Sequence, residues 1–136
     1  MGMDVFIEWK GMTPKEYKAQ ISTGFESRGR VGYLRGGGFG WFKDVLYRLF
    51  DFIEDFDEQY YPLGNREIKL MEENLQDIIS DRSRPALRSA LMTMSGYEER
   101  QTMDVPDSEI EQYIDFIDFA KRKLKEGKKL ILNISR

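Results

Sequence analysis

Polar and apolar positions alternate with a period of two at the start of the chain. Val5, Ile7 and Trp9 fall on one side, Asp4, Phe6 and Glu8 on the other. That alternation predicts a half-buried strand over Met3–Trp9. Gly11 ends it, and Thr13-Pro14-Lys15-Glu16 supplies an N-cap, a proline at the first helical position and a carboxylate at the third. These are the parts of a capping box. A short helix over Pro14–Ser22 is expected, with Tyr17 and Ile21 on one face and Gly24 as its stop. Residues 24–40 are rich in glycine, with a short strand candidate at Val31–Arg35.

From Trp41 the period changes. At about 100° per residue, Trp41, Phe42, Val45, Leu46, Leu49, Phe50, Phe52, Ile53 and Phe56 share one half of a helical wheel, and charged residues share the other. The pattern predicts a central helix continuing to about Phe56, with neighbours on two sides. Tyr60–Asn65 reads as a turn, with Asn65 capping a third helix over Arg66–Ser80 whose stripe is Ile68, Met71, Leu75, Ile78 and Ile79. Ser83 and Pro85 open a fourth helix with Leu87, Ala90, Leu91 and Met94 inward, ending at Gly96. Residues 97–106 form a polar loop. Pro106-Asp107 opens a last helix with Ile110, Tyr113, Ile114, Ile117, Ala120 and Leu124 as its inner face and Gly127 as its end. Leu130–Ile134 is then an apolar strand. A strand at each end of the chain needs hydrogen-bond partners, and pairing the two satisfies both. The expected fold class is α+β: four to five helices packed on a small sheet that pairs the N-terminal and C-terminal strands, in a single domain over 1–136.

Composition narrows the chemistry. Among 136 residues there is no cysteine and no histidine, and 21 basic side chains stand against 24 acidic ones for a net charge of −3. Disulfide scaffolds, thiolate nucleophiles, histidine triads and nearly all zinc sites are excluded. The apolar runs are too short for a membrane span. The opening MGMDVFIEW carries Asp4 and Glu8 and no basic flank, unlike a secretory signal. A soluble, cytoplasmic protein is the expectation. No catalytic residue, metal ligand or cofactor is assigned, since acid–base work here would need carboxylates, lysines or tyrosines with strongly displaced pKa values.

Two surface features stand out. Gly24–Lys43 carries Arg28, Arg30, Arg35 and Lys43 against Glu26 alone, and Gly36, Gly37, Gly38 and Gly40 sit between a strand and the start of a helix. Backbone amides in such a turn, together with the positive end of the helix dipole, can converge on an anion. The candidate anion-binding set is therefore Arg28, Arg30, Arg35, Gly36, Gly37, Gly38 and Gly40. The formal motifs fail: no P-loop window exists, and Trp41 occupies the third glycine's place in G-x-G-x-x-G. Arg35–Phe42 half-matches the signature of the RNA-recognition motif, but Gly37 and Gly40 stand where side chains are required, and a helical pattern follows.

The second feature is an acidic stripe. Asp51, Glu54, Asp55 and Glu58 at i, i+3, i+4 and i+7 would share one face of the central helix, near the end where the dipole disfavours anions. A compensator off the helix is expected: a basic partner, a divalent cation, or Arg82, Arg84 and Arg88. On the last helix, Phe119 points about 180° from Ile110, with Phe116 beside it. A phenylalanine pair outside the assigned core suggests an interface anchor, and Tyr60-Tyr61 is a similar case. The leading reading is a small non-enzymatic interaction protein that self-associates or docks a protein partner through Asp51, Glu54, Asp55, Glu58, Phe116 and Phe119. The alternative is a phosphate ligand, nucleotide or nucleic-acid backbone, at the arginine and glycine loop. Magnesium-dependent phosphohydrolysis on the acidic stripe is a distant third.

Overall fold

The computed structural model describes residues 3–24, 27–36, 41–54, 60–82, 105 and 107–135. Strand β1 (Met3–Trp9) alternates buried and half-buried residues along its whole length, as its sequence period requires. Helix α1 (Pro14–Ser22) follows. Its capping box is formed: Glu16 N–H donates to Thr13 Oγ1 at 3.1 Å, and Thr13 N–H donates to Glu16 Oε1 at 3.0 Å. A 3-10 turn (Gly29–Val31) leads into β2 (Tyr33–Gly36). Helix α2 (Trp41–Leu49), β3 (Tyr60–Leu63), α3 (Asn65–Arg82), α4 (Asp107–Lys125) and β4 (Leu130–Ser135) complete the order. The helix expected over 83–96 lies outside the described residues.

The four strands form one antiparallel sheet in the order β2-β1-β4-β3. The two terminal strands are its centre, paired from Asp4 with Ser135 to Trp9 with Leu130. An α+β architecture is therefore established, with four helices among the described residues. One face of the sheet presents Val5, Ile7, Trp9, Leu130, Leu132 and Ile134, all buried, to a core shared with α2, α3 and α4. Within the described residues no helix is long and apolar enough to cross a membrane.

Several local expectations are corrected. Tyr60–Leu63 is an edge strand rather than a turn. Pro62 is tolerated there because an edge strand has a side that needs no ladder donor. The cap of α3 is Gly64, whose N–H donates to Glu67 Oε1 at 2.9 Å while its carbonyl accepts from Ile68, so Asn65 is the first helical residue. Helix α2 stops at Leu49 instead of running to Phe56. Phe50 N–H still reaches the Leu46 carbonyl, but Ile53 N–H closes a tighter turn onto Phe50. The freed Leu49 carbonyl accepts from Asn74 Nδ2 of α3 at 3.1 Å. A three-residue turn keeps Phe50 and Ile53 on the buried side, so the apolar period continued past the end of the helix.

Helix α1 is rotated from its expected setting. Tyr17 and Ile21 are 46 % and 51 % exposed, and the buried residue is Gln20. Its Nε2 donates to the carbonyls of Ile7 (2.8 Å), Val31 (3.0 Å) and Gly32 (3.1 Å). Ile7 N–H also bonds the Gly32 carbonyl, so Gln20 seals the place where β2 has not yet begun and β1 would otherwise lack a neighbour.

Candidate functional site

The arginine and glycine loop is the first place to look. Gly29 N–H donates to Gln112 Oε1 of α4 at 2.6 Å in a buried setting. A Cβ on Gly29 would collide with the Gln112 carbonyl oxygen, and one on Gly32, where φ is +75°, would meet the Phe119 ring. Both glycines let backbone lie directly on α4. Arg30 Nε lies 3.5 Å from Asp115 Oδ2, and Arg35 Nε lies 3.8 Å from Asp4 Oδ1. The Arg28 guanidinium stands 5.3 Å from the centroid of the Tyr33 ring. Gly36 ends β2, paired with Met3. Gly37, Gly38 and Gly40 lie outside the described residues. The three arginines are thus directed onto α4, onto β1 and over the ring of Tyr33, rather than onto one common point. Behind them Arg28, Leu34, Arg35, Glu109 and Gln112 line a cavity of only about 10 Å³, room for roughly one water. Burial pushes the Glu109 carboxyl above its ordinary value, with Arg28 acting in the opposite direction.

The acidic stripe is not assembled as expected. Asp51 and Glu54 follow the end of α2 in a turn and a bend, so helical spacing does not relate them. Asp55 and Glu58 lie outside the described residues. Asp51 instead accepts from Asn74 Nδ2 at 2.7 Å and lines a polar cleft with Tyr47, Arg48, Asn74 and Asp77. Among the described residues the partner of Asp51 is thus an amide that also caps the helix, while Arg84, Arg88 and the side chain of Arg82 lie outside them.

Phe116 and Phe119 are core residues rather than surface anchors, at 0 % and 7 % exposure. Phe116 packs edge-on to Phe50 at 6.0 Å, and Phe119 packs on Trp9 at 5.9 Å. The inner face of α4 is wider than its apolar stripe, because Gln112 and Phe119 pack a second flank against the Gly29–Val31 turn and β1 while Phe116 packs on Phe50. Ile114, expected inside, is 42 % exposed. The basic end of α4 is partly spent on this packing, since Lys123 Nζ lies 4.8 Å from the Trp9 ring centroid and 5.5 Å from that of Phe119.

The opposite face of the sheet carries a surface of which residue patterning singled out only Tyr60. The strand registers align it in rows: Arg35, Asp4 and Ser135; then Tyr33, Phe6, Asn133 and Tyr60; then Glu8, Ile131 and Pro62. Phe6 and Tyr33 stack at 4.5 Å, and the Tyr33 hydroxyl donates to Asp4 Oδ1 at 2.6 Å. Burial and that hydrogen bond both raise the Tyr33 pKa. Tyr60 is 55 % and Ile131 40 % exposed. Below them Glu8, Trp9, Lys10, Met12, Thr13, Pro14, Tyr17 and Ile131 enclose a groove of about 460 Å³ between the sheet and α1. The signal for this face was present in the exposed half of the β1 alternation, where Phe6 replaces the polar residue that an ordinary solvent face would carry. Which strands flank it is decided only by the register.

Comparison of the chain with protein-family models, curated proteins and solved structures finds no match in any of the three.

Proposed function

We propose that this chain is a protein-interaction module that docks a partner on the sheet face opposite the core, at its β3–β4 side. One observation carries the reading. The exposed large apolar side chains among the described residues are Tyr17, Ile21, Tyr60, Ile114 and Ile131. Tyr60 and Ile131 stand on that face, Tyr17 lines the adjoining groove, and Ile21 continues the Tyr17 stripe one turn on. Apolar surface gathered on one side of a small protein marks a contact surface rather than scattered exposure. An interaction role is retained from the sequence, while the surface moves from the helices to the sheet. The reading is preferred to phosphate binding because Arg30 and Arg35 each face a carboxylate of the chain itself. A cytoplasmic setting belongs to the same proposal and agrees with the absence of cysteine.

The test is site-specific photo-crosslinking in cells, with benzoylphenylalanine placed at position 60, 131 or 114. Positions 60 and 131 should give the same discrete adduct, and position 114, on the far side of the core, should not. Equal yields at all three positions, or none at 60 and 131, would refute docking on this face.

A further inference from the structure

The groove between β1, β4 and α1 has a specific chemistry. Its apolar wall is Met12, Pro14, Tyr17 and Ile131, and Glu8 stands among them, across the ladder from Ile131. Glu8 is half-buried because it belongs to β1, one of the two inner strands of the sheet. Among the described residues its carboxylate accepts one hydrogen bond, from Asn133 Nδ2 at 3.3 Å. A carboxylate can accept about four. No ion pair to Glu8 forms among the described residues. Lys10, two residues on, is exposed and also lines the groove without pairing to Glu8. An anion with unused acceptor capacity, set in an apolar trough, is complementary to a cation on an aliphatic stem: the stem covers Tyr17 and Ile131 while the charge reaches the carboxylate.

We infer that the groove receives a lysine or arginine side chain of the docked partner, with Glu8 as its counter-ion. The inference rests on the docking reading above and specifies the partner as a segment presenting a basic residue among apolar ones. Asp4, the other carboxylate of the face, is already engaged by Tyr33 and Arg35, which leaves Glu8 as the recognising group.

Amide-resolved NMR titration of the full chain tests this with n-hexylammonium as the probe and n-hexanol and hexanoate as matched controls. Hexylammonium should shift the signals of Glu8, Thr13, Tyr17 and Ile131 with saturation, while hexanoate should leave them in place. Glu8→Gln keeps the acceptor for Asn133 and removes the charge, so it should fold normally and weaken hexylammonium by about five-fold or more. Ile131→Ser should weaken hexylammonium and hexanol together. If hexanol bound as tightly as hexylammonium, or if Glu8→Gln made no difference, the counter-ion role would be wrong, and crosslinking at positions 60 and 131 would still decide docking separately. A groove silent to all three probes would overturn the inference outright.

Discussion

Gly32→Ala isolates the contact on which the packing of α4 turns. Gly32 has φ +75° and caps the Gly29–Val31 turn. A left-handed conformation costs an L-residue roughly 1–2 kcal/mol. The added Cβ would lie 2.6 and 2.8 Å from two carbons of the Phe119 ring and 3.2 Å from Ile7 Cβ. The ring has little room to retreat, being 7 % exposed, packed on Trp9 and flanked by Arg122 and Lys123. Overpacking of that kind adds roughly 1–3 kcal/mol. The variant should therefore lose about 2–5 kcal/mol, read as a lower urea midpoint at unchanged slope. Phe119→Leu in the same background should recover part of the loss, with a coupling of about 1 kcal/mol or more in the double-mutant cycle. Gly32→Ala within about 0.5 kcal/mol of the parent, or strict additivity with Phe119→Leu, would refute the contact. It would also reopen Phe119 as a surface residue.

Two further substitutions follow from buried polar groups. Gln20→Glu turns donors into acceptors against three carbonyl oxygens; the native state then favours the protonated acid, so stability should fall as pH rises above the ordinary glutamate value, by about 3 kcal/mol or more at neutrality. A flat difference between variant and parent from pH 4 to 7 would contradict this. Glu109 is 4 % exposed and its native pKa is raised by burial, so the native state binds its proton more tightly than the unfolded chain does. That contribution is fully present below the unfolded value and is lost as pH rises through the native one. Glu109→Gln should flatten this part of the stability profile, removing a slope of at most roughly 1.4 kcal/mol per pH unit in that window. An identical profile in denaturant titrations across pH would show that Glu109 ionises natively at no cost.

Much of the architecture was legible because it depends on local period and punctuation. The Met3–Trp9 alternation, the Thr13–Glu16 box and the α3 stripe each concern residues within one or two turns of one another, and each forms as expected. The end of α2 was not legible. The side chain that takes the Leu49 carbonyl belongs to Asn74, 25 residues away, and the apolar period runs on through the turn. The setting of α1 was illegible for a related reason. A glutamine counts as polar in any hydropathy pattern, yet Gln20 is 1 % exposed because its amide donates to carbonyls of β1 and of the turn before β2. Apolar Tyr17 and Ile21 were thereby turned outward.

The candidate site divides in the same way. Arginines and glycines at 28–40 suggested an anion loop, but composition cannot distinguish a glycine that cradles a ligand from one that admits a neighbouring helix. Gly29 and Gly32 do the latter, against Gln112 and Phe119. Local pattern was enough to place an α+β protein with its N-terminal and C-terminal strands paired in one sheet, since unpaired strands leave backbone polar groups without partners. Which large apolar side chains stay exposed among the described residues was set by packing. Phe119 is buried and Tyr17 exposed according to which segments lie across them, and those contacts join residues far apart in the chain, where no local period reaches.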